Sequence, residues 1–84
     1  MNIKVEVNGE NKELRFIGEL KPQYANYKSF YGKANILVGE DNIFYLLSYN
    51  TVVSMCENRV VTHFGKWSNT TTRHQKEFEK QFGE

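Results

Sequence analysis

The sequence has one cysteine, one proline and one tryptophan in 84 residues. A single cysteine excludes an intramolecular disulfide framework and any multi-cysteine zinc cluster. Long apolar runs are absent, which excludes a membrane-spanning helix from the expectations. An excess of one charge sign is also absent. Lys plus Arg is 11 against 10 for Asp plus Glu, a net charge of +1. That balance excludes a histone-like polycation and a wholly acidic mimic of DNA. The six glycines stand singly, so no glycine-rich phosphate loop is present. The first residues, MNIKVEVNGE, alternate polar and apolar where a signal peptide would carry an apolar block, and a cytoplasmic protein is expected.

What is present folds. Hydrophobic residues make up 39% and aromatics 14%, and a chain of this length has room for one core, so residues 1–84 are read as a single domain. Ile3, Val5 and Val7 share one face of a period-two pattern, with Lys4 and Glu6 on the other. Asn8-Gly9 tolerates positive φ and closes a tight hairpin. Leu14 and Phe16 then point inward from a second strand, which predicts a β-hairpin over 2–17. Pro22 opens either a short helix or a structured loop. Residues 33–64 read as a three-stranded antiparallel meander, with a turn signal at Gly39-Glu40-Asp41-Asn42, a pair that permits a turn at Tyr49-Asn50, and a further turn at Glu57-Asn58. Ile43–Tyr49 is apolar on both faces, as in a strand covered on both sides. Ser68, Asn69, Thr70 and Thr71 supply N-cap candidates. Thr71, His74 or Gln75, Phe78 and Phe82 then form a stripe at helical spacing, which predicts a helix over 69–82. On its exposed side Arg73 and Glu77 are spaced to pair. The expected architecture is α+β: an antiparallel sheet of about five strands with a C-terminal helix packed on one face.

Residues 29–34 (S-F-Y-G-K-A), 46–53 (L-L-S-Y-N-T-V-V) and 67–78 (W-S-N-T-T-T-R-H-Q-K-E-F) carry a Ser-Tyr-x-Thr strand followed by Ser-x-Thr-Thr-x-x-His-x-x-x-Phe. This pattern resembles a family of small uncharacterised proteins encoded by bacteriophages and other mobile elements of Gram-positive bacteria. The resemblance covers roughly residues 29–82 and leaves the first hairpin outside. It implies a phage or mobile-element gene product and carries over no catalytic residues.

The residues of that pattern also have a structural role. Ser68 and Thr71 are expected to cap the helix. His74 is expected to bond a backbone carbonyl or a hydroxyl such as Thr51 or Ser48, and Trp67 to plug the sheet–helix junction. Cys56, His63 and His74 are the good soft or borderline metal ligands, but their spacing fits no metal pattern, and neither metal nor cofactor is expected. A Cys56–His63 nucleophile would need a cleft and an adjacent base, and an enzyme is not expected.

Charge placement says more than net charge. Seven of the 11 basic residues lie in two acid-free stretches, 20–39 and 58–76. The first interleaves Lys21, Tyr24, Tyr27, Lys28, Tyr31 and Lys33. Basic and aromatic residues mixed in this way suit either single-stranded nucleic acid or a protein interface. The leading expectation is a small phage-type binding protein without catalysis that modulates a host protein, as an inhibitor of a bacterial immune system such as a CRISPR nuclease would. Glu40, Asp41, Glu57, Glu77 and Glu79 are then the candidate phosphate mimics. The alternative is a nucleic-acid-binding phage accessory protein using the loop 21–33. Sheet edges leave a homodimer open, and no membrane partner is expected.

Overall fold

The architecture comes from a computed structural model that describes residues 2–22, 32–40 and 42–83. Among these residues the chain forms β1 (Asn2–Val7), β2 (Glu10–Glu19), β3 (Ala34–Val38), β4 (Phe44–Ser48), β5 (Thr51–Glu57), β6 (Val60–His63) and α1 (Asn69–Phe82). The strands lie in sequence order in one sheet, and every neighbouring pair is antiparallel. The helix packs against β4, β5 and β6. The fold is therefore α+β, with six strands. The additional strand lies within 33–64, which holds four strands: the turn permitted at Tyr49-Asn50 is a full reversal between Ser48 and Thr51, so the strands on either side of it count separately.

Local chemistry explains the reversals. Asn8 and Gly9 both have positive φ, at 51° and 91°, and Val7 pairs with Glu10; a two-residue turn of this hand matches the twist of its strands. Asn58 and Arg59 repeat the geometry at 52° and 66°. The β5–β6 reversal thus falls one residue later than the expected Glu57-Asn58, since Glu57 still pairs with Val60. Tyr49 is also left-handed, at φ 56°.

The alternation divides the apolar residues between two faces. Ala34, Ile36, Leu46 and Cys56 meet Phe78 under the helix. Leu37, Tyr45 and Val52 face the other way and meet Val7 and Leu14 of the first hairpin. That hairpin covers the second face because the sheet curls until β1 lies against β5. Two irregularities assist the curl, one between Phe16 and Gly18 and one between Leu46 and Leu47, since bulges increase local bend and twist. This second cover is why β4 is apolar on both sides.

The helix begins at Ser68, whose hydroxyl accepts the Thr71 N–H at 3.1 Å. At the other end the Gly83 N–H donates to the Glu79 carbonyl, with Gly83 at φ −81° rather than in a left-handed cap. Among the described residues no helix is long and apolar enough to cross a membrane.

Candidate functional site

Two polar constellations join sheet and helix. In the first, Ser48 at the end of β4 lies 2.8 Å from His74 Nδ1 and 3.0 Å from Thr71 Oγ1. The Ser68 hydroxyl donates to Thr71 Oγ1 at 3.3 Å. The hydroxyl protons can therefore run one way, from Ser68 to Thr71 to Ser48 to His74, with His74 Nδ1 accepting from the Ser48 hydroxyl. His74 is fully buried and Ser48 and Thr71 nearly so, and the ring of Tyr49 lies over the imidazole at 5.9 Å. Ser48 is among the partners expected for His74. Buried polar groups must be paired, and this chain pairs them between β4 and the first turns of α1.

The second constellation is Ser54, His63 and Glu79. Ser54 on β5 lies opposite His63 on β6, and Ser54 Oγ is 2.6 Å from His63 Nδ1. His63 Nε2 is 2.9 Å from Glu79 Oε1 on α1. A carboxylate only accepts, so Nε2–H donates to Glu79, and in the neutral ring Nδ1 accepts from Ser54. The order of residue types is that of a hydrolytic triad, but the exposure is reversed. A nucleophile must meet substrate while the orienting acid is shielded. Here Ser54 is 0% exposed, whereas the Glu79 side chain is 60% exposed. The arrangement fastens an edge strand to the helix and presents no nucleophile.

Cys56, His63 and His74 each have separate partners. The Cys56 thiol donates to the Phe82 carbonyl at 3.6 Å. Burial pushes that thiol's pKa up, partly opposed by the Arg59 backbone N–H and charge. Among the described residues no group of three or more His, Cys, Asp or Glu is placed to hold a metal ion.

The basic aromatic segment is described at its ends. Lys21 and Lys33 are exposed and adjoin Leu20 and Ala34, which are joined by a Leu20 N–H to Ala34 carbonyl bond of 2.9 Å. Tyr24, Tyr27, Lys28 and Tyr31 lie outside the described residues. The acids do not form one surface. Glu40 and Glu57 are exposed at turns that antiparallel connection places at the same end of the sheet. Asp41 lies outside the described residues. Glu79 is taken up by His63. Glu77 is 2% exposed and accepts the Gln81 amide at 2.6 Å, so it faces inward. It is neither a surface phosphate mimic nor on the exposed face, because the stripe meeting the sheet is wide enough to include it.

Trp67 corrects another expectation. It is 45% exposed and does not plug the sheet–helix junction. Gln75 takes part of that role, donating to the Val53 and Gly65 carbonyls. Trp67 instead walls a cleft of about 400 Å³ with Glu6, Thr51, Val52 and Phe64, where β1 meets β5. Neither Glu6 nor Ser54 was legible as a site residue; their signal lies in the strand register, which no local motif encodes.

Fold and constellations together define a small antiparallel α+β protein in which, among the described residues, Ser48, Ser54, His63 and His74 join sheet and helix. The chain belongs to the family of unknown function DUF8033, which matches residues 18–84. No curated protein and no solved structure matches it. The matched region begins in the last residues of β2 and takes in both polar constellations.

Proposed function

We propose that the protein acts by binding, without catalysis, and that its target is a host protein. The observation that carries this reading is the reversed exposure of Ser54, His63 and Glu79. The most enzyme-like grouping among the described residues buries its hydroxyl and exposes its acid. The remaining histidine is fully buried in a hydroxyl chain. The exposed surface includes aromatic and charged residues, among them Trp67, Tyr49, Lys21, Lys33, Glu40 and Glu57, alongside the aliphatic Ile17 and Val60. Exposed aromatics flanked by charge are the usual composition of a binding face.

The resemblance to phage-encoded proteins supplies the target class to test first, a CRISPR effector of a Gram-positive host. In this reading the protein is anti-CRISPR-like and works in the host cytoplasm. Co-elution of the purified protein with a purified effector, on size exclusion at equimolar concentrations, tests it. A shifted complex is expected. The alternative, a nucleic-acid-binding accessory protein, predicts an affinity for single-stranded DNA that falls steeply between 50 and 200 mM salt, as phosphate contacts require. Free elution from the effectors together with such salt-dependent binding would replace the first reading with the second.

A further inference from the structure

The cleft beside Trp67 has a chemistry that the two polar constellations do not use. Trp67 forms one wall, and Phe64 and Val52 supply further apolar surface. Glu6 is the single charged residue lining it, with Asn8 and Thr51 as the polar remainder. Lys66, next to Trp67 in sequence, does not line it. Glu6 is exposed and has no hydrogen-bond or ion-pair partner among the described residues, whereas Lys12 nearby is paired with Glu10 at 3.7 Å. The Trp67 ring is held over Gly65: a Cβ on Gly65 would stand 3.4 Å from the ring. A flat indole beside an unpaired carboxylate fits a planar cation, which can stack on the ring and present paired N–H groups to the acid. An ammonium lacks that fork, and an anion would meet Glu6 with like charge.

We infer that this cleft receives an arginine side chain of the protein partner. The inference rests on the protein-binding reading and gives that partner's contact residue. Because Trp67 is the only tryptophan, its emission reports on the cleft directly. The experiment titrates the intact protein with acetyl-Gly-Arg-Gly-amide and follows Trp67 fluorescence, with amide chemical shifts recorded in parallel. The citrulline and lysine versions of the peptide serve as controls. Saturable quenching is expected on the order of millimolar, as suits one exposed side chain. Shifts should be confined to the neighbourhood of Glu6, Thr51, Phe64 and Trp67. Glu6→Gln should bind roughly fivefold more weakly, in line with a solvent-exposed ion pair, and the citrulline peptide should not saturate. Absence of saturation, equal binding by Glu6→Gln, or equal binding of the lysine peptide would overturn the assignment. If the peptide fails while an effector still co-elutes, the cleft assignment alone falls. If no effector co-elutes but the peptide saturates, the cleft stands and the effector class falls.

Discussion

Replacing Ser48 by alanine is the sharpest test of the first constellation. The change removes one oxygen and leaves the backbone path of β4 unaltered. It deprives two groups at once: His74 Nδ1, 2.8 Å away, and Thr71 Oγ1, 3.0 Å away. Thr71 keeps its contact with Ser68, so the main loss falls on His74, which is 0% exposed. An unsatisfied buried acceptor costs about 1–3 kcal/mol, and the weakened Thr71 contact adds to it, so Ser48→Ala should lose about 2–3 kcal/mol. For a chain of this size that is roughly 10–20 °C in Tm, or on the order of 1–2 M in the urea midpoint. Urea denaturation followed by circular dichroism measures it. His74→Phe should cost a similar amount, and the double variant should cost less than the two singles added, by about 1 kcal/mol, because both changes break the same Ser48–His74 bond. A Ser48→Ala variant within about 0.5 kcal/mol of the wild type, or strict additivity in the cycle, would refute the reasoning.

Three further outcomes follow from named positions. Arg59 holds a left-handed φ of 66° in a turn that favours Asn-Gly, so Arg59→Gly should raise stability by about 0.5–1 kcal/mol in thermal melts; a loss would show that the Arg59 side chain has a stabilising contact. The Cys56 thiol is held protonated by burial. Its folded pKa lies above the unfolded one, so its contribution is fully present below about pH 8.5 and is lost as pH rises through the folded value. Wild type should therefore lose more stability than Cys56→Ala between pH 7.5 and 10, and identical losses would contradict this. A fluorophosphonate probe should leave Ser54 unmodified in the folded protein, as checked by intact mass, and stoichiometric labelling would mean that the hydroxyl is accessible.

Much of the fold is legible where local chemistry and period agree. Asn8-Gly9 marks its hairpin because both residues accept positive φ at little cost, and the alternation of Ile3, Val5 and Val7 fixes the face it turns inward. Ser68, Thr71, His74 and Phe78 mark the helix by spacing and cap chemistry. The region matched by the family of unknown function contains the first constellation, and Ser48 was among the partners expected for His74. The misses occur where pairing or tertiary cover decides. Arg59 is an uncommon residue for a left-handed turn, so the β5–β6 reversal reads one residue early. That slides the strand pairing by two and hides the Ser54–His63 contact. Glu77 reads as exposed because carboxylates usually are; its burial depends on Gln81, one turn along, and on the sheet beneath. Trp67 reads as core because of its size, yet the curl that brings β1 to β5 gives it a surface cleft, and no pattern within either strand reveals that approach.

The distinction between binding and chemistry is best measured by stoichiometry. A fixed amount of reconstituted CRISPR effector is titrated with the protein, and residual cleavage of target DNA is recorded after long incubation. A non-catalytic inhibitor gives a loss of activity proportional to the amount added, complete near equimolar protein and unchanged by longer incubation. Progressive inactivation by a small fraction of an equivalent would contradict it, because one molecule of a non-catalytic inhibitor can silence only the effector it occupies. Full cleavage at excess protein would instead remove the effector as the target.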